Sequence, residues 1–83
     1  MTDYIATFFS HFGATRFKRL CSRRGYPAKV MPVPRTLSSS CGTCVQYTTN
    51  ANPVFSDHLD EIEQIVKITA PDQYQQVYRA EDI

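Results

Sequence analysis

Pro32 and Pro34 constrain this chain more than any other pair of residues. Each proline fixes its own φ and pushes the preceding residue towards extended backbone. A strand can therefore end at Pro32-Val-Pro34, but a helix cannot begin there. Beyond them runs Arg35-Thr-Leu-Ser-Ser-Ser-Cys-Gly-Thr-Cys44, small hydroxylated residues leading to Cys41 beside Gly42. Glycine permits a sharp turn and a close backbone approach to a ligand. The segment from Pro32 to Cys44 is expected to be a loop that presents a thiol, with the rest of the chain as its support.

That support reads in order. Tyr4 to Phe9 is rich in aromatic and β-branched residues and predicts a strand. Ser10 is a fitting N-cap for a helix from about His11 to Arg24. Phe17, Leu20 and Cys21 fall on one face of that helix, with Arg16, Arg19 and Arg23 on another. Gly13 weakens its first turn, while Gly25 and the cations of the last turn suit its C-terminus. Ala28 to Val33 reads as a second strand, and Cys44 to Thr49 as a third with period-two alternation. Asn50-Ala-Asn-Pro53 is turn chemistry ahead of a second helix from Val54 to about Val66. On it Phe55, Leu59, Ile62, Ile65 and Val66 form the apolar stripe, and Asp57, Asp60, Glu61 and Glu63 lie off it. Tyr74 to Tyr78, after Pro71, is a short fourth strand.

The order β-α-β-β-α-β predicts an α+β fold of the ferredoxin-like, split βαβ kind. In it, an antiparallel sheet carries two helices on one face. A small thioredoxin-like or open α/β sheet is the runner-up. At 83 residues the chain is one domain, 1–83, near the size at which a single core just suffices.

Charge is divided along the chain. Seven of the nine basic residues lie between Arg16 and Arg35, and seven of the eight acids lie from Asp57 onward, although the net charge is only +1. Two charged faces side by side account for this, each exposed pair contributing about 0–1 kcal/mol. The sharper reading is a basic half that greets an anionic partner, either a protein or RNA. No basic–aromatic stacking pattern singles out nucleic acid.

No apolar run approaches the ~20 residues of a membrane helix, and Ile5 to Phe9 is too short for a signal peptide. Three cysteines do not close a disulfide framework. A reducing cytoplasm is the expected compartment.

The chemistry centres on Cys41. A thiolate is the reactive form of cysteine, and it is favoured where backbone N–H groups or cations face it. Gly42, Ser39 and Ser40 can supply such groups in a concave turn, and Arg35 a permanent cation. His11, at the start of the first helix, can reach a substrate from the end of the first strand. The competing reading makes Cys41 a small buried hydrophobe, as free cysteines often are.

Cys41-Gly-Thr-Cys44 is also a C-x-x-C pair, which can exchange electrons with Cys44 as the resolving thiol. Thioredoxin-type enzymes place that motif at the start of a helix, whereas a strand is expected to follow it here. Cys44 on that strand can equally turn into the core. A monomeric zinc site lacks ligands, since Cys21 belongs to the core and His11 and His58 are scattered; a site shared across a dimer stays open. No phosphate loop, dinucleotide fingerprint or serine-nucleophile motif is present. No cofactor is expected, and the oligomeric state is open.

The strand Tyr4–Phe9 with Ser10, the helix ending at Gly25, Val30-Met-Pro-Val-Pro-Arg35 and Ser38-Ser-Ser-Cys-Gly42 together resemble the small DUF3343 proteins, a selenium/sulfur carrier-like family. The resemblance covers about Tyr4 to Ile68. Its most specific part is Pro34-Arg35 followed by Ser39-Ser40-Cys41-Gly42. It implies a cytoplasmic bacterial thiol protein that carries sulfur or selenium on Cys41, received from a donor protein and passed to an acceptor. It also implies a carrier rather than a turnover enzyme. Cys44 stands less firmly in the pattern, which leaves a dithiol variant open. A noncatalytic interaction module is the remaining alternative, with the loop only a turn.

Overall fold

The computed structural model describes residues 1–55 and 60–80. Its elements are β1 (Thr2–Phe8), α1 (His11–Arg23), β2 (Ala28–Pro32), β3 (Thr43–Thr49), β4 (Ile62–Ala70) and β5 (Gln73–Arg79). The five strands form one sheet in the order β2-β3-β1-β4-β5, with every neighbouring pair antiparallel. β1 and β2 therefore run parallel with β3 inserted between them, which is the split βαβ arrangement. α1 is the crossover, and it packs on one face of the sheet.

The helix ends follow the local sequence. The Ser10 hydroxyl accepts from the Gly13 N–H at 3.3 Å. At the other end Tyr26 N donates to Cys21 O and Gly25 N to Ser22 O, with Gly25 at φ +78°. That pair of bonds is the Schellman closure, which needs a left-handed residue where Gly25 stands. Gly13 has a reason beyond helix propensity. A Cβ there would lie 3.2 Å from Glu61 Cβ and 3.3 Å from Phe8, so its absence lets α1 come close to the start of β4.

The core between α1 and the sheet is aromatic. The Phe17 ring lies 5.3 Å from Phe8, 5.0 Å from Tyr47 and 5.0 Å from Phe55, centroid to centroid. Such pairs add about 0.5–1.5 kcal/mol each beyond the area they bury. The Tyr47 hydroxyl donates to Pro53 O at 2.7 Å, which ties the segment after β3 to the core. The opposite face carries a smaller cluster of Ile5, Cys44 and Val66, packed by Met31, Val33, Leu37, Ile68 and Tyr74.

The ferredoxin-like expectation holds for an antiparallel α+β sheet and fails for the second helix. Residues 62–66 lie in β4, and α1 is the one helix among the described residues. The part of the expected helix at 56–59, which includes His58, lies outside the described residues. The reason is a bulge. Thr7 pairs with Gln64 and Phe8 with Ile62, so Glu63 is an extra residue in β4. The bulge puts Ile62 and Ile65 on the same face, while Val66 faces the other side, where the smaller cluster buries it. An i, i+3, i+4 apolar pattern thus arises from a bulged strand buried on both faces. The fourth strand expected at Tyr74–Tyr78 is present as β5.

The basic and acidic halves of the chain meet at Arg16 and Glu61. The Arg16 guanidinium grips the Glu61 carboxylate with two donors, Nε to Oε1 at 3.1 Å and the other from the terminal nitrogen to Oε2. This hydrogen bond, with the charge of Glu61, raises the Arg16 pKa.

Candidate functional site

The loop between β2 and β3 turns first at Pro34–Leu37, closed by a bond from Leu37 N to Pro34 O at 3.0 Å. Arg35 and Thr36 take its central positions. Val33 N donates to Gly42 O at 3.1 Å, so the two ends of the loop are held together. Val33 and Leu37 pack on Ile5, Cys44 and Val66, the face away from α1.

The far end of the loop reaches β4. Gln64 Nε2 donates to Ser38 O at 3.3 Å. Ser40 gives two bonds to the Glu63 carboxylate, its N–H to Oε1 at 3.1 Å and its hydroxyl to Oε2 at 2.8 Å. The Thr7 hydroxyl adds a long third, at 3.4 Å to Oε1. Since β3 and β1 lie between β2 and β4, the loop straps across the sheet before it returns to β3.

Cys41 sits on the return. It is half-buried and packs against the helix-side core, and its Sγ donates to Thr43 O at 3.4 Å. Thr43 Oγ1 lies 3.0 Å from His11 Nδ1. Gly42 between them has φ +75°, and nothing lies within 4 Å of where its Cβ would stand. Backbone conformation, rather than lack of space, requires glycine there.

The other two thiols are different. Cys44 is fully buried in β3, in the cluster on the face away from α1, with Sγ 3.7 Å from Pro32 O. Burial, with a smaller contribution from Cys41, pushes its pKa up to about 11. Cys21 is fully buried on α1, and burial pushes it to about 11 against the lowering influence of Arg24 and Lys18. All three cysteines are free.

Of the residues singled out in the sequence, the fold brings Cys41, Gly42 and His11 to one end of the sheet, linked through Thr43. Ser40 is in the same loop, but its donors are engaged by Glu63. The Ser39 hydroxyl is buried and has no hydrogen-bond partner among the described residues. Arg35 is exposed and makes no ion pair among the described residues. Cys44 joins the cluster opposite. Among the described residues no group of three or more His, Cys, Asp or Glu side chains is arranged to hold a metal ion.

Thr43, Glu63 and Gln64 were not found by sequence reasoning. The adjacent polar pair Glu63-Gln64 between Ile62 and Ile65 is a signal for the latter two, but it is legible only once the segment is a strand. Gln64, at 7% exposure, and Thr7, at 0%, are the buried polar residues beneath the loop.

No helix among the described residues is long and apolar enough to cross a membrane. No curated protein and no solved structure matches the chain. The family described as "Putative Se/S carrier protein-like" matches residues 3–79, from β1 to the end of β5 and with the Cys41 loop inside the match, and the chain belongs to that Se/S carrier-like family.

Proposed function

We propose that Cys41 is the cargo-bearing thiol of this carrier-like protein, holding sulfur as a persulfide or selenium in the equivalent form. The observation that carries the reading is the contrast among the three cysteines. Cys21 and Cys44 are fully buried with pKa values near 11, while Cys41 is partly open on a polar loop. A thiol must meet a donor protein to be loaded, and a buried, protonated thiol does not.

The transfer step balances without an oxidant. The Cys41 thiol gives its proton to a base, and the thiolate attacks the outer sulfur of a donor persulfide, R–S–SH. A Cys41–S bond forms, the bond between the two donor sulfurs breaks, and R–S⁻ leaves. The products are Cys41–S–SH and the donor thiolate, and delivery to an acceptor thiolate repeats the step in the other direction. His11, bonded to Thr43 two residues from Cys41, is the candidate base. Arg35, exposed on the same loop, is available to an anionic cargo or to an acidic donor surface. Dithiol exchange would require Cys44 to leave an apolar cluster, and this favours a carrier over a redox pair.

The test is incubation with a cysteine desulfurase and cysteine, read by intact mass and peptide mapping. The expected result is an added sulfur on Cys41 that dithiothreitol removes and that Cys41→Ser abolishes. Failure of any donor to load a Cys41 that still alkylates would overturn the proposal. A mass two hydrogens lighter would assign the pair Cys41/Cys44 to redox exchange instead.

A further inference from the structure

We infer that Glu63 is the positioning residue of the Cys41 loop: its carboxylate, set at the β4 bulge, takes both donors of Ser40 and so fixes how far Cys41 is withdrawn from solvent. The inference rests on Cys41 being the working thiol, and deepens that reading by naming what controls it.

Three observations converge. First, Glu63 is the extra residue of the bulge, and bulges re-aim side chains next to sites. Second, Ser40 N and Oγ both donate to Glu63, at 3.1 and 2.8 Å, and Ser40 immediately precedes Cys41. Third, the neighbouring Gln64 holds Ser38 O at 3.3 Å, so two successive β4 side chains pin the same loop. Bonds to a charged acceptor are stronger than neutral ones. Two of them on one residue make Glu63 the main fastening between the strap and the sheet.

The arrangement also changes how an anionic cargo is held. The Ser40 N–H and hydroxyl are among the donors the loop can offer a sulfur or selenium anion on Cys41, and Glu63 already occupies both. Loosening Ser40 from Glu63 frees those donors and lets Cys41 leave the helix-side core. One local event thus opens the thiol and supplies groups that solvate its charged form.

The test is the iodoacetamide alkylation rate of each cysteine in the full chain, followed by peptide mapping. Cys21, buried on α1 on the other side of the sheet from Val33 and Leu37, serves as the internal report of global opening. Glu63→Ala is expected to speed Cys41 alkylation about a hundredfold, the scale set by losing two charged hydrogen bonds from a local opening equilibrium, with Cys21 unchanged. Glu63→Gln, which keeps one acceptor oxygen, is expected to fall between wild type and alanine. Ser40→Ala removes the hydroxyl donor without touching the sheet, and should raise the Cys41 rate alone even if the Glu63 variants fold poorly.

A Cys41 rate that stays at the wild-type value in Ser40→Ala and Glu63→Ala, or one that rises only in step with Cys21, would overturn the inference. Alkylation needs no cargo. A Cys41 that is released in these variants yet never accepts sulfur would therefore sink the carrier proposal and leave the role of Glu63 standing.

Discussion

His11 Nδ1 and Thr43 Oγ1 lie 3.0 Å apart, joining the first residue of α1 to the first residue of β3. The same Thr43 accepts the Cys41 Sγ–H on its carbonyl at 3.4 Å. One residue thus ties the imidazole to the loop that carries the thiol. If His11 takes the Cys41 proton, His11→Ala should slow persulfide formation on Cys41 by on the order of a hundredfold, the low end for a positioned proton transfer. Thr43→Val should slow it less, and Thr43→Ser should retain the wild-type rate. His11 is exposed, so its removal should leave stability within about 0.5 kcal/mol. Timed quenching with mass readout measures the rates, and wild-type loading in His11→Ala would remove the imidazole from the mechanism.

The buried thiols predict a loss of stability in alkali. Cys21 and Cys44 ionise near 11 in the folded chain against an ordinary 9.0. Between those values the unfolded chain loses protons that the folded chain keeps. The stabilisation from each thiol is therefore complete below pH 9 and falls away as pH rises towards 11. Burial raises the Tyr47 hydroxyl as well, so its contribution has the same sign. Urea midpoints should hold steady at neutral pH and decline above about 9, with a shallower decline in Cys44→Ala. A midpoint flat to pH 11 would show that these thiols titrate alike in both states.

How much of this was legible before folding depended on whether the signal was local. Ser10, Gly25 and the Phe17/Leu20/Cys21 face are set by helix-end chemistry and a 3.6-residue period, and α1 formed where they placed it. Pro32 and Pro34 ended β2 as their geometry requires. The second helix failed because Ile62, Ile65 and Val66 were read by period alone. A bulge at Glu63 and a sheet covered on both faces reproduce that spacing in a strand, and neither is visible in the residues themselves. For the candidate site, residue type alone singles out Cys41, Gly42 and His11. Thr43, Glu63 and Gln64 owe their place to pairing across the sheet, 20 or more residues from Cys41 for the last two, which no local pattern encodes.

The N-cap gives a prediction whose size is fixed in advance. Ser10 accepts the Gly13 N–H, one of the four donors that a helix start leaves unpaired. Ser10→Ala should cost about 1 kcal/mol, and Ser10→Gly only a few tenths. In a domain this small, 1 kcal/mol lowers Tm by about 4–8 °C. Alkylation of Cys41 should be unchanged when compared at equal stability. A thermal scan that cannot separate Ser10→Ala from wild type would mean that tertiary packing alone holds the first turn.

Phe55 and Phe12 test whether the segment after β3 belongs to the core. Phe55 is outside any described helix or strand, yet it is 1% exposed. Its ring stacks on Phe17 at 5.0 Å, meets Tyr26 and Tyr47, and lies 4.5 Å beneath the Arg24 guanidinium. Phe12, on the first turn of α1, is 73% exposed. Phe55→Ala should therefore cost about 3–5 kcal/mol, a large share of what a small domain has, because the cavity left under α1 is lined by rings that cannot all collapse into it. Phe12→Ala should stay within about 0.5 kcal/mol. Urea denaturation of the two variants measures both numbers. Equal, small effects would mean that Phe55 contributes no more than a surface ring, and that the core between α1 and the sheet is closed by Phe8, Phe17 and Tyr47 without it.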